Sequence, residues 1–447
     1  MVAAKSPQEY RSLALTFEGI VGSLRELGRG FKDKRQGKNR QYKMDDIVLS
    51  AFSVFYFQCP SFLSYQQIME SEQGNNNART LFGIDKIPSD NHIRAMLDEE
   101  SPAGLFGIFK GVFNGLDKAG LLEAMRSPIG DFLIAFDGVE YHSSSQISCV
   151  NCKTRQHKTG QVTYSHGMVT AVLVKPDCPH VIDLPPEFIV PQDGHDKQDC
   201  ENAAIKRWLV RHASDYRPYG VTVLGDDLYS CQPICEAVKA VGFHYIFTCK
   251  PDSHKTLYEF VEGLKRTQLI EGHQVKRWTG KHHEIDQYWY VNEVPLRDGE
   301  DAISVNWFEM TTTDAKGKVI YRNAFVTDHE VTQTNVAGLV ESGRSRWKTE
   351  NENNNTLKRH GYNLEHNFGH GRKNLCNVFA SLNLIAFLLH TVLALTSEAY
   401  QKIRAKLGAR KKIFEHLRTL THYILFLSWD DMLTFMMERL KLTLDTT

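Results

Sequence analysis

"VTVLGDDLYS", Val221 to Ser230, joins an apolar run to a glycine and two adjacent carboxylates, Asp226 and Asp227. The run Val221 to Leu224 is short, apolar and rich in valine, which predicts a buried strand. Two like charges at the tip of such a strand repel, and burying either is costly unless a partner is supplied. A turn or helix cap uses one such acid as a hydrogen-bond acceptor. A bound cation instead needs several acids converging from different elements.

The chain has 447 residues, enough for two to four domains. Hydrophobic content of 42% and charged content of 24% are those of an ordinary globular protein. The formal net charge is zero, so contact with nucleic acid has to come from local basic patches rather than overall charge. Nine scattered cysteines and an N-terminus without an apolar leader favour a reducing cytosol. The apolar segment Leu375 to Thr396 carries Asn377, Ser381, Asn383 and His390, and reads as a buried core helix rather than a membrane span.

Residues 1–125 read as helical, with a helix from Met44 to Phe57 and an N-cap at Ser89 or Asp90. Strands follow at Phe132 to Tyr141, Ser165 to Pro176 and His180 to Leu184. Then come a helix from Lys197 to Ala213, the strand at Val221, a helix from Gln232, a strand from Phe243 to Cys249 and a helix from Ser253. This order predicts a mixed sheet flanked by helices over 130–272. Residues 273–330 alternate like strands, with a hairpin turn at Asp314 to Lys318, and read as an all-β insertion. A helix reaching Gly361 falls within 331–373, and 374–447 is mostly helical.

Within this frame three acids stand on regular elements: Asp137 in the first strand, Asp226 past the strand at Val221, and Glu350 in the helix after the β segment. Taken singly, each has an ordinary reading as a turn, cap or surface acid. As an ordered set they fit phosphodiester chemistry by two divalent cations, in which carboxylates from several elements meet at one point.

The set resembles the DDE transposases of bacterial insertion sequences, of the insertion-sequence family four type. "LGDDLYS" resembles their second-aspartate motif, with Tyr229 three residues after Asp226, and "AFDGVEYH" resembles their first-aspartate strand. Their third motif is Y-x2-R-x3-E-x6-K. Arg346 and Glu350 match its centre, Gly343 stands at the tyrosine position, and Lys358 follows Leu357, which occupies the lysine position. Glu352 is the alternative third acid.

The resemblance implies an RNase H-like core and metal-dependent cleavage and strand transfer of DNA. It implies two Mg2+ ions, or Mn2+, on Asp137, Asp226 and Glu350. Its implied partners are double-stranded DNA, as terminal inverted repeats and target, and a second copy of the chain in a homodimer. It places the protein in the bacterial cytoplasm, without a membrane. A nuclease lacking strand transfer, or a degenerate DNA-binding protein, would carry the same residues.

Phosphate-contacting candidates are Arg346 and Lys358 near the glutamate, and Lys250 and Lys255 after a strand. A basic stretch adds Arg29, Lys32, Lys34 and Arg35. Trp278, Trp289 and Trp307 suit core packing better than base stacking. "CVNC" sets Cys149 and Cys152 at zinc-knuckle spacing, with His142, His157 and His166 nearby, a weak signal for structural Zn2+. His366 and His370 lie in a glycine-rich stretch that reads as a loop, better suited to DNA contact or local hydrogen bonding than to metal.

Overall fold

Apolar runs and their breakers decide where this chain becomes sheet. In the computed structural model, which describes residues 15–35, 40–191 and 199–444, the strands are β1 (Phe132–Ser144), β2 (Lys153–Gln156), β3 (Val162–Val174), β4 (Ile182–Asp183), β5 (Glu187–Ile189), β6 (Val221–Gly225), β7 (His244–Thr248), β8 (Glu271–Trp278), β9 (His283–Pro295), β10 (Ser304–Thr313) and β11 (Val319–Thr327). They form one mixed sheet in the order β2-β3-β1-β6-β7-β11-β10-β9-β8, with β4 and β5 also paired to β3. β1 is antiparallel to β3 and parallel to β6, and β6 is parallel to β7. From β7 onward the pairing is antiparallel throughout.

β6 is buried at every position, as its valine-rich run predicts. The strands over 271–327 continue the same sheet through β11 and β7 rather than standing apart from it. Their hairpin at Asp314 forms as the sequence predicts: the Asp314 carboxylate accepts the Lys316 and Lys318 N–H groups, and Gly317 takes a positive φ of 78°. Trp307 is fully buried beneath this sheet, Trp289 is partly buried, and Trp278 is exposed.

Helices cover the sheet and build the two ends of the chain. Ser89, not Asp90, is the N-cap of Asp90–Leu97, its hydroxyl accepting the His92 N–H. The helix Glu201–Tyr216 is pinned near its start. Arg207 donates to Glu187 and Asp199, both buried, at 2.8 Å, and the Trp208 indole donates to the Pro185 carbonyl at 2.7 Å. The single helix expected up to Gly361 is instead broken. It runs as Val336–Arg344, then a π turn at Thr349–Asn354, then Asn355–Arg359.

Leu375–Thr396 is long and apolar enough to cross a membrane, yet 89% of its most apolar window is buried inside the protein. It packs on Met44–Tyr56 and on the helices that follow it. Several of its buried polar groups find partners there: Asn383 donates to the Tyr362 carbonyl and accepts from Gln58, and His390 Nδ1 meets the Tyr362 hydroxyl at 2.7 Å.

One such bond ties this helix to the sheet: the buried Tyr141 hydroxyl of β1 donates to Asn377 at 2.7 Å. Asn377→Ala leaves that hydroxyl buried without an acceptor and is expected to cost about 1–3 kcal/mol in urea unfolding. Replacing both partners, with Tyr141→Phe and Asn377→Leu together, is expected to cost less than Asn377→Ala alone. An unchanged urea midpoint in Asn377→Ala would remove this link from the account.

Candidate active site

The register of β1 against β6 brings two aspartates to one level. Ala135 pairs with Leu224, and Asp137 and Asp226 each lie two residues further on. In a parallel pair, residues at matched positions share a face, on strands about 4.8 Å apart. Asp137 is partly buried and accepts the Asn354 side-chain N–H at 2.8 Å. Asp226 accepts the Leu228 N–H at 2.9 Å through one oxygen.

The neighbouring Asp227 has a different use. Its carboxylate accepts the Lys250 N–H at 2.6 Å and the Ser253 hydroxyl, and lies 3.4 Å from His254. It therefore closes the turn after β7. The two acids of the opening motif split into one whose charge acts on Asp137 and one that holds a loop.

Burial dominates the electrostatics of Asp137 and pushes its carboxyl up to about 6. Arg346 opposes that shift, the Asp226 and Glu201 carboxylates add to it, and the Asn354 hydrogen bond opposes it. Arg346 and Asn354 bracket Glu350 in sequence, and Glu350 sits on the π turn between them. The Glu350 carboxylate is partly buried and makes no hydrogen bond or ion pair among the described residues. Arg346 and Glu350, one turn apart in sequence, form no ion pair; the Arg346 guanidinium lies over the Trp347 ring, 5.0 Å from its centroid. Glu352 faces elsewhere, lining a cleft with Asp177, Tyr288 and Arg344.

Sequence reasoning missed Glu201. It opens the helix Glu201–Tyr216 and accepts the hydroxyl of the buried Tyr229 at 2.9 Å. Its carboxylate lies against Gly138, where an added Cβ would stand 2.2 Å from it. Tyr229 thus holds an acid beside Asp137, and Gly138 leaves the room for it. An acid in the first turn of a helix looks like an ordinary dipole partner, so the sequence signal was only the pairing of Gly138 with a tyrosine near Asp226.

The three carboxylates Asp137, Asp226 and Glu201, with one opposing guanidinium, suit a hard, oxygen-seeking divalent cation such as Mg2+. The acids do not close into a tight cage. Among the described residues, the one group of three or more His, Cys, Asp or Glu with ligand atoms within 4.8 Å of one another is Cys149, Cys152, His166 and His370. A looser set leaves space for the waters that Mg2+ retains.

The basic candidates divide. Lys250 and Lys255 are exposed. Lys358 pairs with Glu365 at 2.8 Å. In the N-terminal stretch Arg29 pairs with Glu26 and Asp45, Lys34 with Glu99, and Arg35 with Asp33, while Lys32 is exposed. Three of those four are thus held by the protein's own acids; residues 36–39 of that stretch lie outside the described residues. Cys178 and Cys200 stay outside the Cys/His group, Cys178 against Met125 and Cys200 exposed.

Compared with models of known protein families and with curated proteins, the chain matches none.

A carboxyl held near 6 in the folded chain and near 3.9 in the unfolded one binds more protons folded than unfolded between those values. Its contribution to stability is therefore highest below about pH 4 and is lost as pH rises through 6, by about 3 kcal/mol. Without added divalent cation, Asp137→Asn is expected to melt above wild type at pH 8 and level with it at pH 4. Equal melting at both pH values would contradict the burial of a charge at Asp137.

Proposed function

We propose that the chain is a DNA transposase of the DDE class. On this reading it binds the ends of its own element and carries out metal-dependent strand cleavage and strand transfer. The observation that carries the reading is the matched register of β1 and β6, which sets Asp137 beside Asp226. The RNase H-like reading of the core is supported by a centre in which β1 is antiparallel to β3 and parallel to β6. The β-rich stretch β8 to β11, between Asp226 and Glu350, supports the reading of an insertion in that core.

Each acid keeps oxygen lone pairs available. Asp137 gives one oxygen to Asn354, Asp226 gives one to Leu228, and Glu350 gives none. Asp137, Asp226 and Glu350 would hold two Mg2+ ions, or Mn2+, which activate the attacking oxygen and stabilise the leaving one. Glu201, anchored by Tyr229, adds negative charge beside Asp137 and helps keep a cation there. Arg346, without an ion pair among the described residues, is placed to take a phosphate. Exposed Lys250 and Lys255 extend that role along the duplex. The proposed partners are the element's terminal inverted repeats, target DNA and a second copy of the chain.

The test is single-turnover cleavage of a duplex carrying the element's terminal repeat, with Mg2+ against Ca2+. Asp226→Asn and Glu350→Gln are each expected to lower the rate about a thousandfold, about 4 kcal/mol of transition-state stabilisation, with end binding retained. Glu352→Gln is expected to leave most activity, and Asp227→Asn to be milder than Asp226→Asn. Cleavage without joining to target DNA would move the reading to a nuclease. No Mg2+-dependent cleavage by wild type would overturn it.

A further inference from the structure

We propose that Cys149, Cys152, His166 and His370 form a tetrahedral zinc site that fastens the loop after Glu350's helix to the sheet. The inference does not rest on the transposase reading. The four residues come from three places: Cys149 and Cys152 from the turn between β1 and β2, His166 from β3, and His370 from the loop before Leu375–Thr396.

The distances are those of ligands around one ion. Zinc with Zn–S of about 2.3 Å and Zn–N of about 2.0–2.1 Å sets tetrahedral edges of about 3.8 Å for S···S, about 3.6 Å for S···N and about 3.3 Å for N···N. Cys149 Sγ lies 3.8 Å from Cys152 Sγ and 3.3 Å from His166 Nε2. Cys152 Sγ lies 3.3 Å from His166 Nε2 and 3.4 Å from His370 Nε2, and the two Nε2 atoms are 3.1 Å apart. A disulfide would need the sulfurs at about 2.05 Å.

The surroundings suit thiolates and neutral imidazoles. The Cys149 N–H points at Cys152 Sγ and the Asn151 N–H at Cys149 Sγ, each at 3.4 Å. His370 Nδ1 donates to the Gly371 carbonyl at 2.9 Å, which leaves its Nε2 as a lone pair facing the cluster. Without a cation, and with no net charge on the cluster, the five contacts among these atoms have three protons to share, as when each thiol and His166 Nε2 carry one. Lone pairs would then face lone pairs at contact distance. A cation removes that conflict, and two sulfurs with two imidazoles select zinc over magnesium or calcium. Cys152, His166 and His370 are buried and Cys149 partly so, a closed set with no position left for substrate.

His142 packs against His370 with tilted rings, centroids 4.6 Å apart, but is not among the ligands. His366, four residues before His370, is exposed and takes no part.

Zinc content of the full-length protein, purified under reducing conditions, is the test. About one zinc per chain is expected, kept in His366→Gln and lost in His370→Gln and in the paired Cys149→Ser, Cys152→Ser variant. Chelation of wild type is expected to lower its melting midpoint by roughly 5 °C. Should the ligand variants fail to fold, Co2+ added to chelated wild type decides: tetrahedral ligand-field bands with sulfur-to-cobalt charge transfer support the site. Wild type without zinc that gives no such Co2+ spectrum would overturn the proposal. Zinc retained in folded His370→Gln at full stoichiometry would overturn the assignment of His370.

Discussion

A partly buried carboxylate near the middle of β1 is the constraint around which the neighbouring structure is arranged. Asp137 stands on β1, the strand that pairs antiparallel on one side and parallel on the other. The parallel side delivers Asp226 at the same level. The adjoining helix start delivers Glu201, fixed by Tyr229 and admitted by Gly138. Repulsion among these acids is answered by Arg346 and by the Asn354 hydrogen bond, both from the segment around the π turn. The arrangement remains one of excess negative charge in a partly dry place, which is costly without a cation and well suited to one.

The π turn at Thr349–Asn354 carries a long backbone bond. The Asn355 N–H reaches back to the Glu350 carbonyl, an i to i+5 bond. A π turn holds about one more residue than an α turn, so everything after it is delayed by about one position. Such bulges often occur at functional sites.

Much of this was legible from local pattern alone. β6, the Ser89 cap, the Asp314 hairpin and the burial of Leu375–Thr396 each follow from residues within one element. The separation of Asp226 from Asp227 was legible only through Tyr229. What was not legible depends on distant partners. His370 joins Cys152 across 218 positions and sits in a glycine-rich loop with no period of its own. Lys34 meets Glu99 across 65 positions, so a basic stretch that reads as a free arm is tied down by acids far along the chain. The π turn leaves no mark in polarity, because Asn353 and Asn354 read as surface residues yet are buried.

The proposed cation site lies between Asp137 on β1 and Asp226, just past the end of β6. Anomalous diffraction from crystals grown with Mn2+ tests it most directly, because the signal locates the ion without reference to activity or substrate. The account predicts a peak bridging Asp137 and Asp226, lost in Asp226→Asn crystals. Ordered side chains at both aspartates with no peak between them, at Mn2+ concentrations that occupy other sites, would contradict it.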